Sequence, residues 1–293
     1  MLIEEKMETI KLSNNEELVK TYIKTYPETL KALTTRELAE LTYTSPSTLI
    51  RFSKKLGFTG WNEFRDAYLE EYDYLTRHFT KINANMPFTS HDTMVSIANK
   101  IISLKQETLE DTKQLIDPEA LKQATQLIIN SDTIKMFGAN NIIYEISEFQ
   151  FKMSRINRDV LFTGLQGEQQ YFATRCKPTD VAIIVSYTGE TLYLLKIVQQ
   201  LRAQNIPIIA ITSVGNNRLS QFATVTLHVT TREKAYGKIG AFSSLESIRC
   251  ILDILYSCVF AQDYQKNFTY KKSVAKKLET ARKPSNQIIK DEA

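Results

Sequence analysis

The sequence predicts an all-α N-terminal domain followed by an α/β three-layer domain with a mainly parallel sheet. Three observations carry this prediction. From Asn14 to Thr80 apolar residues recur at helical steps between clear stop signals. After Asn130 the period changes, and short β-branched runs alternate with helical stretches. The length of 293 residues, with 43% hydrophobic and 24% charged residues but only 9 Gly and 7 Pro, suits two compact domains. The same composition excludes collagen-like, low-complexity and mostly disordered chains.

Taken in order, helices are expected at residues 16–25, 35–41, 46–56 and 62–74, with punctuation at Pro27, at 42–45 and at 57–60. Residues 81–92, with Asn83, Asn85 and Pro87, read as a linker. A long helix over 93–116 follows, its Met94, Ile97, Ile101 and Leu104 forming one apolar stripe. Asp117-Pro118 is a restart signal, an N-cap acceptor followed by the residue that has no N–H to leave unsatisfied. Strands are expected at 133–137, 160–162, 181–185, 207–211 and 225–229, separated by helices such as 142–154, 191–204 and 242–260. Strands spaced by helices imply right-handed crossovers and a sheet covered on both faces. The expected organisation is 1–78, a helical domain; 79–116, linker and connector helix; 117–263, the α/β domain; and 264–293, a basic tail.

The formal charge of +4 does not by itself point to nucleic acid. Residues 1–80 hold 11 Lys+Arg against 13 Asp+Glu, while residues 264–293 hold 8 against 3, so the basic excess sits at the C-terminus. A run such as Lys271-Lys272 with Lys276-Lys277 is ordinarily a solvated helix face. No apolar run approaches the roughly 18 residues that cross a bilayer, and the N-terminus lacks the pattern of a secretory signal. Cys176, Cys250 and Cys258 form no CxxC pair, so neither a disulfide framework nor a metal site is expected. These features suit a cytoplasmic protein with no membrane partner.

The richest N-terminal segment runs from Thr35 to Phe58. A short helix containing Leu38, Ala39 and Leu41 is followed by a tight turn and by a second helix with Ser45 as N-cap and Pro46 in its first turn. Leu49, Phe52 and Leu56 face inward, Ser47, Arg51, Lys54 and Lys55 fall on the opposite stripe, and Gly57 stops the helix. A face of hydroxyls and cations, with Ser45 and Thr48 adding hydroxyls, can read duplex DNA from the major groove. A basic face alone suits a solvated helix better; the complete spacing reverses that balance and favours a helix-turn-helix. The run LAELTYTSPSTLIRFSKKLGFTGWNEFR closely resembles the DNA-binding domain of the RpiR-type regulators, matching at Leu38, Ala39, Ser45, Thr48, Arg51, Phe52, Lys54 to Phe58, Gly60 and Phe64. Ser47 replaces the usual Ala. Phe58 and Trp61 are assigned to packing.

The second constellation follows the buried strand 181–185. Ser186-Tyr-Thr-Gly-Glu-Thr sets three hydroxyls, Ser186, Thr188 and Thr191, and a flexible Gly189 where a parallel strand meets a helix N-terminus. Such a turn can hold an anion through oriented N–H groups and helix-end partial charge, or it can be a plain polar turn. The pattern S-x-[ST]-G-x-T resembles the signature of SIS (sugar isomerase) domains. The resemblance implies a flavodoxin-like parallel sheet and a bound phosphosugar, and SIS domains follow the helix-turn-helix in RpiR-type regulators. Gly138, Asn140 and Asn141 occupy the family's second ligand loop, usually G-x-G-x-S. Here Asn140 tolerates a left-handed backbone in place of Gly, and Ile142 lacks the hydroxyl. Asn217-Arg218 stands where Ser-Pro is commoner, and Thr224 where an Asp is usual.

The resemblances imply a transcriptional regulator of sugar metabolism genes, with a double-stranded DNA operator and a phosphosugar effector as partners. A homodimer or homotetramer is expected, with no cofactor, no metal and no catalysis. Two alternatives stand beside it: a sugar-phosphate isomerase, and a regulator whose SIS domain serves only for dimerisation. An isomerase needs a positioned base. His78, His91 and His228 are the histidines, and spacing singles out none of Glu190, Glu233 and Glu246.

Overall fold

The computed structural model describes residues 3–77 and 82–278; His78, the expected boundary beside it, and residues 279–293 of the expected tail lie outside them. The chain divides into two compact units, residues 1–103 with 214–216 and residues 104–213 with 217–293.

The first unit is helical: α1 (Ile3–Thr9), α2 (Asn14–Thr25), a 3-10 turn (Pro27–Lys31), α3 (Thr35–Leu41), α4 (Pro46–Lys55) and α5 (Trp61–Arg77). Local signals explain the starts. The backbone N–H and hydroxyl of Ser13 donate to the Glu16 carboxylate at 2.7 and 2.8 Å. Thr34 and Glu37 form a reciprocal capping box before α3. Met7, Ile23, Leu38, Leu49, Phe52 and Phe64 make a closed core. Phe58 and Trp61 pack against Phe64 with ring centroids 5.5 and 5.3 Å away, in the packing role expected of them. The sequence pattern gave no sign of α1, whose seven residues are too few for a period; it is held by buried Met7 and by Glu71, which accepts from the amides of Ile3 and Glu4.

α6 (Met94–Gln114) follows the expected linker. Its apolar stripe is only partly covered: Leu104 is fully buried, whereas Met94 is 90% exposed.

The second unit alternates strands and helices after α7 (Pro118–Ile129): β1 (Ile134–Gly138), α8 (Ile142–Ser154), β2 (Val160–Leu161), α9 (Gln166–Ala173), β3 (Val181–Val185), α10 (Leu192–Ala203), β4 (Ile208–Ser213), α11 (Arg218–Phe222), β5 (Val225–Val229), α12 (Phe242–Gln262) and α13 (Tyr264–Leu278). All strand pairs are parallel, in the order β2-β1-β3-β4-β5. Ile183 and Val185 pack with α7, α8 and α12 on one face. Ala182 and Ile184 pack with α9 and α10 on the other. Both faces are covered, so β3 reads as an unbroken apolar run, whereas β1 admits Lys135 and the edge strand β5 alternates. The strand order reverses between β1 and β3, which places a crevice at their carboxyl ends. α9 and α11 were not expected; each is short, and α9 opens on polar Gln-Gly-Glu-Gln-Gln.

Candidate functional site

The helix α4 is built as the spacing implies, with three corrections. Leu49, Phe52 and Leu56 are buried, and Ser47, Arg51 and Lys54 share one exposed stripe with Ser45 beside it. A Schellman motif closes the helix: the N–H of Gly57, at φ +90°, donates to Lys54 O (3.0 Å), and that of Phe58 to Ser53 O (3.1 Å). The first correction concerns Ser45. It holds the N-cap position, but its hydroxyl bonds no helix amide and meets the hydroxyls of Ser47 (2.8 Å) and Thr48 (3.1 Å) instead. The second concerns Thr48, which is 1% exposed. Four residues before Phe52, it lies on the inward stripe, where it accepts from Arg51 Nη2 at 3.4 Å. Lys55 is the third. Its Nζ lies 2.6 Å from the Glu16 carboxylate, whose side chain is 3% exposed, so its charge is tied to the domain's own packing.

The second site is a cavity of about 490 Å³ at the carboxyl ends of β1 and β3. Asn140 and Asn141 line it from the β1–α8 turn, Ser186, Thr188 and Thr191 from the β3–α10 loop, and Tyr236 and Lys238 from the segment before α12. Asn140 adopts the left-handed backbone expected of it (φ 54°). Ser186 Oγ and Thr191 Oγ1 are 3.1 Å apart, and Thr188 Oγ1 accepts from Glu190 N–H at 3.2 Å. Thr191 is the N-cap of α10, yet its side chain caps no amide. The first-turn donors of α10 therefore lack a side-chain acceptor from their own cap.

Two glycines expected to touch a ligand do not line the cavity. The N–H and C=O of Gly138 are taken by the Gln169 amide (3.3 and 2.8 Å), and Tyr193 also donates to the carbonyl. A Cβ on Gly138 would stand 2.6 Å from Ile146 Cδ1, so glycine lets α8 lie close to β1. Gly189, at φ +66°, turns its missing Cβ toward Asn217. Ile142 belongs to the core, and Thr224 accepts from Ile208 N–H at the start of β4.

Sequence spacing missed the groups that brace the cavity. The buried Glu233 carboxylate accepts from the amides of Ser243 (2.5 Å) and Ser244 (3.1 Å), from Ser244 Oγ (2.6 Å) and from Lys238 Nζ (2.8 Å). Lys238 Nζ sits 5.1 Å from the centre of the Tyr187 ring, whose hydroxyl donates to Glu233 O. Glu233 and Lys238 come from an irregular segment after β5 with no periodic signature.

Residues 1–73 match the family described as helix-turn-helix domain, rpiR family, and residues 147–257 match the SIS domain. The chain is an RpiR-type regulator. An uncharacterized HTH-type transcriptional regulator of Caldanaerobacter subterraneus subsp. tengcongensis is 25% identical over 90% of this chain and 92% of its own. The Vibrio vulnificus NanR protein, solved in complex with ManNAc-6P, is 20% identical, covers 96% of this chain and 98% of its own, and gives a TM-score of 0.60. The sugar isomerase domain of an RpiR transcription factor from Sphaerobacter thermophilus is 16% identical, with 61% and 98% covered and a TM-score of 0.55. Both structures share the fold.

Three of the acid–base candidates of this RpiR-type chain, Glu190, Glu246 and His228, have partners of their own. Glu190 accepts from the N–H of Arg218 at 2.8 Å, so its charge serves the start of α11 rather than that of α10. Glu246 pairs with Lys105 at 2.5 Å. His228 lies on β5 with Nδ1 3.2 Å from Ser213 O, and burial lowers its pKa. Burial pushes the Cys176 thiol up to about 11. Among the described residues no cluster of three or more His, Cys, Asp or Glu could hold a metal, and no helix is long and apolar enough to cross a membrane.

Proposed function

We propose that this regulator binds a double-stranded DNA operator through the exposed stripe of α4 and senses a phosphosugar in the cavity between β1 and β3. Ser47, Arg51 and Lys54, with Ser45 beside them, supply the hydroxyls and cations that contact bases and phosphates. Thr48 supports the helix from within, and Lys55 through its ion pair with Glu16. In the cavity, the hydroxyls of Ser186, Thr188 and Thr191 and the start of α10 hold the phosphate, while Asn140 and Asn141 meet the sugar. The observation that carries this reading is the meeting of the hydroxyl loop and an uncapped helix start at the sheet's switch point. The boundaries 1–78, 79–116, 117–263 and 264–293 describe the functional parts, and the chain acts in the cytoplasm as a homo-oligomer.

Binding without turnover is favoured over isomerisation. Glu233 has four donors on its two oxygens and holds the first turn of α12, which leaves it a poor proton carrier. Thermal unfolding with ManNAc-6P, fructose 6-phosphate and arabinose 5-phosphate tests the reading. A ligand at about 100 times its Kd should add about 2.7 kcal/mol, and Thr188→Val should reduce the gain. Absence of any rise would leave the SIS domain as a dimerisation platform, and turnover of a phosphosugar would make the protein an isomerase.

A further inference from the structure

The outward face of α4 has a member that the charge pattern does not predict. Successive residues of an α-helix turn by about 100°, so Ser47 and Lys54 stand nearly one above the other and mark the middle of the exposed face. Arg51 lies about 50° to one side of that row, and Ile50 about 50° to the other. Ile50 leaves 41% of its surface in solvent, whereas Leu49 and Phe52 on the inward face leave none. The face of hydroxyls and cations thus carries an open aliphatic side chain.

A lone exposed isoleucine is ordinary on a protein surface. This one is singled out by its setting. Isoleucine is β-branched and favours a helix less than alanine or lysine, so helix propensity does not select it here. α4 contains no carboxylate, so nothing on the helix itself opposes a polyanion drawn to Arg51 and Lys54. A helix 10–12 Å across fills a major groove about 12 Å wide, so base edges meet the whole outward arc and not its central row alone. On that arc Ser47 can exchange hydrogen bonds and Arg51 can donate them; Ile50 can do neither. The apolar group that base pairs present in this groove is the C5 methyl of thymine.

We propose that Ile50 is a specificity-determining residue whose side chain meets the C5 methyl of a thymine in the operator. The proposal rests on the assignment of α4 to DNA made above. It divides the work of the helix. Arg51 and Lys54 supply attraction that falls as salt rises, whereas a methyl contact releases no counterion and adds sequence preference alone.

The test uses the full-length chain and a duplex selected from the genome's intergenic DNA, each thymine in turn replaced by deoxyuridine, which lacks only the methyl. For the wild type, replacing the thymine under Ile50 should weaken binding about fourfold, the worth of one buried methyl-sized group at about 0.8 kcal/mol. Ile50→Ala should lose a similar factor on the unmodified duplex, be indifferent to uracil at that position, and keep the wild-type dependence on salt. Ile50→Val, which retains the branch, should restore most of the discrimination. The scan on the wild type needs no substitution, so it stands even where a variant perturbs the helix. No thymine sensitive to the exchange, or a penalty that persists in Ile50→Ala, would overturn the proposal. Arg51→Ala separates the two levels. If it weakens binding while the uracil penalty is the same with and without Ile50, α4 binds DNA but Ile50 does not read it; if it leaves binding unchanged, the assignment of α4 itself fails.

Discussion

The side chain of Asn217 fills the space that a Cβ on Gly189 would need, its Oδ1 standing 2.0 Å from that position. The same Oδ1 accepts from Ser220 N–H at 3.0 Å and caps α11, while Nδ2 donates to Thr212 Oγ1 at 3.1 Å. Leu219 N–H donates to Gly189 O, and Arg218 N–H to Glu190, so the β3–α10 loop is fastened to α11 at three adjacent residues. The hydroxyls of Ser186, Thr188 and Thr191 are thereby held before any ligand arrives, which lowers the ordering cost of binding.

Gly189→Ala should therefore damage both stability and binding. The substitution forces a side chain into left-handed backbone and displaces the Asn217 cap, at a cost of about 1–3 kcal/mol. Urea unfolding should show a lower midpoint with an unchanged slope, and the thermal response to phosphosugar should weaken. A variant as stable and as responsive as wild type would mean that the loop is not braced this way.

Lys55→Met should act on folding more than on DNA. Burial raises the Glu16 pKa, but the hydrogen bonds from Lys55 and from Ser13 outweigh it and hold the carboxyl below its ordinary 4.5. A depressed carboxyl stabilises the fold above its unfolded pKa and loses that contribution as pH falls through the folded value. The unfolding free energies of wild type and variant should thus differ at neutral pH, by no more than about 1 kcal/mol because Lys55 is half exposed, and converge in acid. Equal melting at pH 7 would remove the ion pair from the account.

His228 should give the second unit a separate pH dependence. Burial on β5 lowers its pKa from 6.5, so the folded unit binds this proton less readily than the unfolded chain. Its contribution is complete above about pH 6.5 and is lost as pH falls toward the folded value. Replacing it by Gln should flatten the fall in melting temperature below pH 6.5. The same slope in both proteins would contradict the assignment.

Much of this was legible in the sequence, for physical reasons that also mark the limits. The α3–turn–α4 segment could be read because its stop signals and inward stripe are local, and the β runs because burial on both faces leaves mostly apolar residues. Thr48 departs from the expected face because a hydroxyl looks solvent-facing until the helix phase puts it over Phe52. The motifs point to Gly138 and Gly189 as ligand contacts, because their close neighbours, Ile146 and Asn217, are tertiary and leave no local signal. Lys238 and Glu233 were invisible as a pair, because an irregular segment brings them together only when α12 packs on the sheet.

The most direct test of the central claim is operator binding measured against salt for wild type and Arg51→Ala, on a duplex selected from the genome's intergenic DNA. Wild-type affinity should fall steeply as salt rises, and Arg51→Ala should bind about 1–3 kcal/mol more weakly, or lose about one unit of log–log slope if the contact is to phosphate. Wild-type affinity and slope in the variant would contradict the assignment of α4 to DNA.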